Sequence, residues 1–99
     1  MMANILPGAE EDIETAFRYY EAEHRGLGVE LLDEFRSGIE QILRFPQAWH
    51  PMDETYRRYR QHRFPYGIVY RTIENSGGFL VVAVMHLSRK PGSWYQRDR

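Results

Sequence analysis

Apolar positions recur along the first half of the chain with the period of a helix. Ile13, Ala16, Phe17 and Tyr20 fall at i, i+3, i+4 and i+7, which predicts a helix from Ala9 to about His24 with one buried stripe. Leu32, Phe35, Ile39, Ile42 and Leu43 repeat the pattern and predict a second helix from about Val29 to Arg44. Arg25-Gly26-Leu27-Gly28 separates them, with Gly26 suited to the left-handed residue that ends a helix. Phe45-Pro46 stops the second, because a residue before proline avoids helical geometry. So short a connection predicts an antiparallel helical hairpin.

Beyond a loop over 46–55 the period changes to two. Residues 56–64 form a basic strand and 66–74 a second. Asn75-Ser76-Gly77-Gly78 is a hairpin turn, and Phe79 to Leu87 is an almost wholly apolar third strand. A strand apolar on both faces belongs in the interior of a sheet. Residues 2–6 add a short strand ahead of the helices, and Ser88 to Arg99 form a polar tail with one tryptophan. The order is β-α-α-β-β-β, an α+β fold in which two helices pack on one face of a small, mainly antiparallel sheet. The other face is expected to stay partly open, and function is sought there. The 99 residues are read as one domain, 1–99.

Charge sharpens this picture. Residues 1–55 carry four arginines against twelve carboxylates, whereas 56–99 carry nine Lys/Arg against Glu74 and Asp98. The near-neutral net charge of -1 hides an acidic helical half and a basic strand half. Such a basic half either attracts a polyanion or an acidic protein, or is balanced by the helices within the monomer. The chain has no cysteine, which removes disulfide and thiolate chemistry. No apolar run approaches a membrane span. The segment 1–7 lacks a signal peptide's basic region and long apolar stretch, so the expected location is cytoplasmic.

Common catalytic arrangements are missing. There is no metal-ligand spacing and no glycine-rich phosphate loop, and His24, His50, His62 and His86 are scattered. No metal and no cofactor are expected. Glu10, Glu11, Asp12 and Glu14 read as helix-start charges. Two clusters remain. Arg57, Arg58, Arg60 and Arg63 share a strand with Tyr56, Tyr59 and His62. Alternation sends Arg58, Arg60 and His62 one way and Arg57, Tyr59, Gln61 and Arg63 the other. Arginine beside tyrosine suits phosphate or carboxylate capture, and equally a charged edge strand that resists aggregation. The second cluster runs from His86 through Arg89 to Trp94. Histidine can shuttle protons and arginine can stabilise phosphorane-like charge. The same residues also suit a hydrogen-bonded strand end, an arginine paired with helix carboxylates, and a packing lid.

The chain also resembles the RelE/ParE toxin superfamily over nearly its whole length. Ala9-Glu10-Glu11-Asp12-Ile13 with Tyr19-Tyr20 resembles the first helix of that family. Phe64-Pro65-Tyr66-Gly67-Ile68-Val69-Tyr70-Arg71 resembles its central hairpin. His86-Leu87-Ser88-Arg89-Lys90-Pro91-Gly92-Ser93-Trp94 resembles its H-x-x-R-x-P-x-x-W ending. The resemblance implies the toxin of a bacterial type II toxin–antitoxin, plasmid-stabilisation-type module that inhibits growth. It implies a cognate antitoxin, expected to bring an acidic amphipathic segment, and admits a toxin–antitoxin heterotetramer. One branch of the superfamily cleaves mRNA on the ribosome, and the ParE branch poisons DNA gyrase. The ribonuclease branch often has arginine after the tyrosine that opens the central strand, where this chain has Gly67. It also tends to end the last strand on a basic residue, where this chain has Leu87. A ParE-like inhibitor that acts by binding is therefore the first reading. An mRNA endonuclease using Arg58, His86 and Arg89 is the second, and an inactive antitoxin-binding relative the third. The residues expected to meet target or antitoxin are Arg57, Arg58, Arg60, Arg63, Arg71, Arg89 and Trp94.

Overall fold

The computed structural model describes residues 3–75, 77–89, 92 and 94–98. Its elements are β1 (Ala3–Ile5), α1 (Pro7–Glu23), α2 (Leu27–Arg44), β2 (His50–Pro51), β3 (Arg57–Arg60), β4 (Tyr66–Thr72), β5 (Phe79–His86) and a closing 3-10 turn, Tyr95–Asp98. Met2 of the expected first strand, Ser76 of the hairpin turn, and Lys90, Pro91 and Ser93 of the terminal motif lie outside the described residues.

The five strands lie in the order β1-β5-β4-β3-β2. β2 to β5 pair antiparallel, and β1 joins β5 in parallel at Ala3↔Phe79 through Ile5↔Val81. β1 can do so because the two helices form the crossover that a parallel pair requires. α1 begins at Pro7, where a proline costs no hydrogen bond. That start is two residues earlier than expected. It moves Asp12 out of the first turn and sets its side chain against β5 rather than at the helix end.

Gly26 does adopt a positive φ of 88°, but it serves as the N-cap of α2. α1 itself ends at His24. The Glu21 carboxylate accepts the backbone N–H of Gly26 at 3.0 Å and of Gly28 at 3.0 Å. It thereby satisfies two amides at the start of α2 that no helical carbonyl can reach.

Helices and sheet meet in a core of Ala9, Ile42, Tyr59, Ile68, Tyr70, Phe79, Val81 and Val84, with Ile13, Phe35 and Ile39 packed against it. A bulge in β5 shapes the rest. Val69 pairs with Ala83 and Tyr70 with Val81, leaving Val82 as the extra residue. Val82 and Ala83 therefore both face away from the helices.

That second face differs from expectation. It is covered, not open: Tyr56, Val69, Val82, Ala83, Met85 and Trp94 form a second buried cluster, with Leu6, Met52 and Leu80 against it. The tail read as merely polar folds back to supply this cover. The basic strand is also shorter than 56–64, because it pairs with β4 only through Arg60.

Three polar clamps hold the tail. The Arg71 guanidinium donates to Asp98 at 2.5 and 3.1 Å, and the Tyr56 hydroxyl donates to the same carboxylate at 2.8 Å. Arg97 donates to Asp12 at 2.7 and 3.1 Å and to the Val82 carbonyl at 3.2 Å. The Tyr95 hydroxyl donates to Asp53 at 2.6 Å. Asp12 also accepts the Val84 N–H at 3.0 Å. Asp12 and Arg97 thus satisfy the edge of β5 where β1 has already ended, a place where unpaired groups would invite aggregation.

Arg71 beside Asp98 holds its carboxyl below the ordinary range, with the Tyr56 hydroxyl adding to the effect and burial opposing it. A lowered folded pKa contributes stability that is complete above the unfolded value, about 4, and is lost as pH falls through the folded one. Asp98→Asn is expected to destabilise by about 1–2 kcal/mol at neutral pH, part of a charge-assisted bond's worth because Arg71 is partly wet. Urea midpoints of parent and variant should differ at pH 7 and converge as acid protonates Asp98.

Candidate functional site

The arginines expected on a binding surface divide into two groups. Arg57 donates to the Trp49 carbonyl at 2.9 Å and to Gln47 at 3.0 Å. Arg63 pairs with Glu30 of α2 and lies 5.2 Å from the Phe64 ring centre. Arg71 is taken by Asp98. These three hold the fold: Arg57 pins the loop before β3, Arg63 docks the β3–β4 turn on α2, and Arg71 anchors the tail. Their partners lie off the strand, 8 to 33 positions away in sequence, so alternation along the strand could not identify them.

Arg58, Arg60 and Arg89 behave differently. Among the described residues, no carboxylate lies within ion-pair distance of any of them. Arg58 and Arg60 sit on the side of β3 turned away from the helices. Arg58 runs flat across Gly67 of β4. A Cβ on Gly67 would come within 2.7 Å of Arg58 Cδ and 2.8 Å of its Cγ. Gly67 is thus the seat of this side chain, which gives the glycine after Tyr66 a structural cause.

Arg89 follows β5 in a turn closed by its own N–H to the His86 carbonyl, 3.0 Å. Three cavities meet at this turn. A cleft of about 240 Å³ lies toward α1, lined by Glu11, Asp12, Thr15, Tyr66, His86 and Arg89 among others. A second of about 330 Å³ is lined by Tyr19, Tyr20, Tyr66, His86, Ser88 and Arg89. A small one of about 20 Å³ lies on the face away from the helices, with Arg58, Arg89 and Trp94 in its walls. The rings of Tyr19, Tyr20, Tyr66 and His86 form a chain of edge contacts at 5.0, 6.2 and 5.3 Å leading to this end of the sheet.

His86 has a constrained role. The Ser88 N–H donates to its Nδ1 at 3.1 Å, and the Ser88 hydroxyl lies 2.7 Å from the same nitrogen. The backbone N–H occupies the Nδ1 lone pair, so Nε2 is the ring nitrogen left for an outside partner. Burial, reinforced by Tyr20, raises the Tyr66 hydroxyl above its ordinary value although Arg89 acts in the opposite sense. Tyr66 is therefore poorly placed to be a base. The turn sets the unpaired Arg89 beside the rings of Tyr66 and His86.

Trp94 is 2% exposed and acts as a wall of the smallest cavity. Among the described residues, no group of three or more His, Cys, Asp or Glu could hold a metal ion, and no helix is long and apolar enough to cross a membrane. Sequence reasoning missed Asp12 and Gly67. Only the run Tyr66-Gly67 beside an arginine of the adjacent strand, two residues from Arg60, the partner of Gly67, could have signalled the second.

Two helices against a mixed, five-stranded sheet, with a cationic turn after the last strand, define a small α+β class. A family model described as the ParE toxin of the type II toxin–antitoxin system parDE matches residues 4–91, and the chain belongs to that family. A solved chain from the chromosomal ParDE toxin–antitoxin system of P. aeruginosa superposes with a TM-score of 0.64. It is 13% identical, and the match covers 88% of this chain and 96% of that one. No curated protein matches the sequence.

Proposed function

We propose that this ParE-family toxin acts by binding, with DNA gyrase as its target, and that a cognate antitoxin neutralises it by occupying the end of the sheet around Arg58, Arg60 and Arg89. The observation that carries the reading is the set of arginines, Arg58, Arg60 and Arg89, that no carboxylate pairs among the described residues. Arg89 lies where three cavities meet, at the end of the sheet that a partner would cover. Unpaired arginines, a histidine and a row of tyrosines suit an acidic, partly apolar protein surface. Gyrase follows from the resemblance to the ParE branch. The cations without carboxylate partners among the described residues support an acidic amphipathic segment on the antitoxin. A segment that orders on contact would be drawn in by charge and held by its apolar side.

Induced expression in a bacterial host, with plasmid topology and transcript integrity read in the same culture, tests this. The expected result is growth arrest with altered supercoiling and intact transcripts, relieved by the antitoxin. Early transcript cleavage with normal supercoiling would establish the ribonuclease reading instead. Unimpaired growth with antitoxin still bound would mark an inactive relative.

A further inference from the structure

We infer that the small cavity between Arg58, Arg89 and Trp94 is a carboxylate pocket, and that it takes one acidic side chain of the antitoxin. The inference rests on the docking position proposed above and adds the chemistry of one contact within it.

Arg58 is the central observation. Its stem is laid over Gly67, its Nε is buried without a hydrogen-bond partner, and no carboxylate pairs with it among the described residues. An arginine stays charged at any working pH. A partly desolvated guanidinium with no counter-charge gains strongly from an anion. Trp94 lines the same cavity, and its Nε1–H is a second buried donor without a hydrogen-bond partner, one that a small shift of the ring would offer to an anion. Both orphan groups can donate but not accept. Arg89 adds an exposed cation at the rim.

Shape favours a carboxylate over a phosphate. The cavity measures about 20 Å³, room for little more than one water-sized group. Met52, Val69, Met85 and Leu87 complete its walls and would pack on the methylene stem of an acidic side chain. A nucleic acid would instead need a track of free cations, since such interfaces engage several phosphates. Here Arg57, Arg63, Arg71 and Arg97 are committed to internal partners, and Glu11 and Asp12 line the adjoining cleft.

Gly67 makes the pocket testable without changing any charge. Purified chain is titrated with sodium acetate against sodium chloride at matched ionic strength, while the Arg58 Nε–H and Trp94 indole N–H resonances are followed by NMR. Acetate is expected to give a saturable shift that chloride does not. Arg58→Met should abolish it. Gly67→Ala should weaken it at least five-fold by pushing the guanidinium stem off its seat, and Arg18→Met should leave it unchanged. A parallel titration with methyl phosphate should give weaker binding than acetate.

No acetate-specific shift, or full binding by folded Gly67→Ala, overturns the pocket. Tighter binding of methyl phosphate overturns the carboxylate assignment and points to a nucleic-acid partner. The occupant is tested by adding purified antitoxin, which should displace acetate. If acetate binds and antitoxin forms its complex without displacing it, the pocket stands and the docking position fails.

Discussion

Val82→Asp is expected to abolish folding. Val82 is the extra residue of the β5 bulge, 0% exposed, in a cluster closed by Ala83, Met85 and Trp94. No cation of the described residues pairs at that point: the nearby Arg97 reaches the Val82 carbonyl and is already held by Asp12. A carboxylate there would be desolvated without compensation, or protonated at a cost. Losses above about 4–5 kcal/mol are reserved for such cases. A chain of this size has about 5–15 kcal/mol in total. The variant should appear in inclusion bodies or lack a cooperative unfolding transition. Val84→Asp, at 7% exposure beneath the helices, should behave alike. A soluble, cooperatively folded variant at either position would show that β5 is not the packed centre described here.

Much of this fold could be read from periodicity because burial is simple on the helix side. The 3.6 repeat of Ile13, Ala16 and Tyr20 and the apolar run 79–86 have one structural solution each. The tail was different. Its cover of the second face depends on Asp12, Asp53, Tyr56 and Arg71, which meet Tyr95, Arg97 and Asp98 across 27 to 85 positions of sequence. Pairings at that distance leave no period. The candidate arginines were legible as a cluster but not as individuals. Strand alternation placed Arg58 and Arg60 on one side, yet only the fold shows Arg57, Arg63 and Arg71 committed internally. The meaning of Gly67 was hidden for the same reason: what it accommodates lies on the neighbouring strand.

Arg89→Ala is expected to remove or sharply reduce toxicity while leaving the fold intact. Arg89 is exposed, lies in the turn where three cavities meet, and has no carboxylate partner among the described residues. The turn is closed by its backbone N–H, which alanine keeps. A surface change of this kind should move stability by no more than about ±0.5 kcal/mol. Losing one charge-assisted contact at the heart of an interface typically costs 2 kcal/mol or more, about thirty-fold in affinity. Growth of an inducible strain, at matched soluble expression and matched melting temperature, reads the effect. A variant as toxic as the parent would remove Arg89 from the target-binding surface.

The most direct test of the shared site is the affinity of antitoxin for two charge-reversed chains. One carries Arg58→Glu with Arg60→Glu, on the side of β3 away from the helices. The other carries Arg18→Glu with Arg36→Glu, on the exposed helix surfaces where each arginine has only a neighbouring intrahelical partner. Both change net charge equally, so long-range attraction falls alike and the difference reports position. Two lost charge-assisted contacts at about 1.5 kcal/mol or more each should weaken the strand variant at least a hundred-fold. The helix variant should keep most of the parent's affinity, and the strand variant, which loses its close pairs as well, should show the weaker residual dependence on salt. A helix variant weakened as much as the strand variant, or more, would place the antitoxin on the opposite face and contradict neutralisation by occupancy of the sheet end.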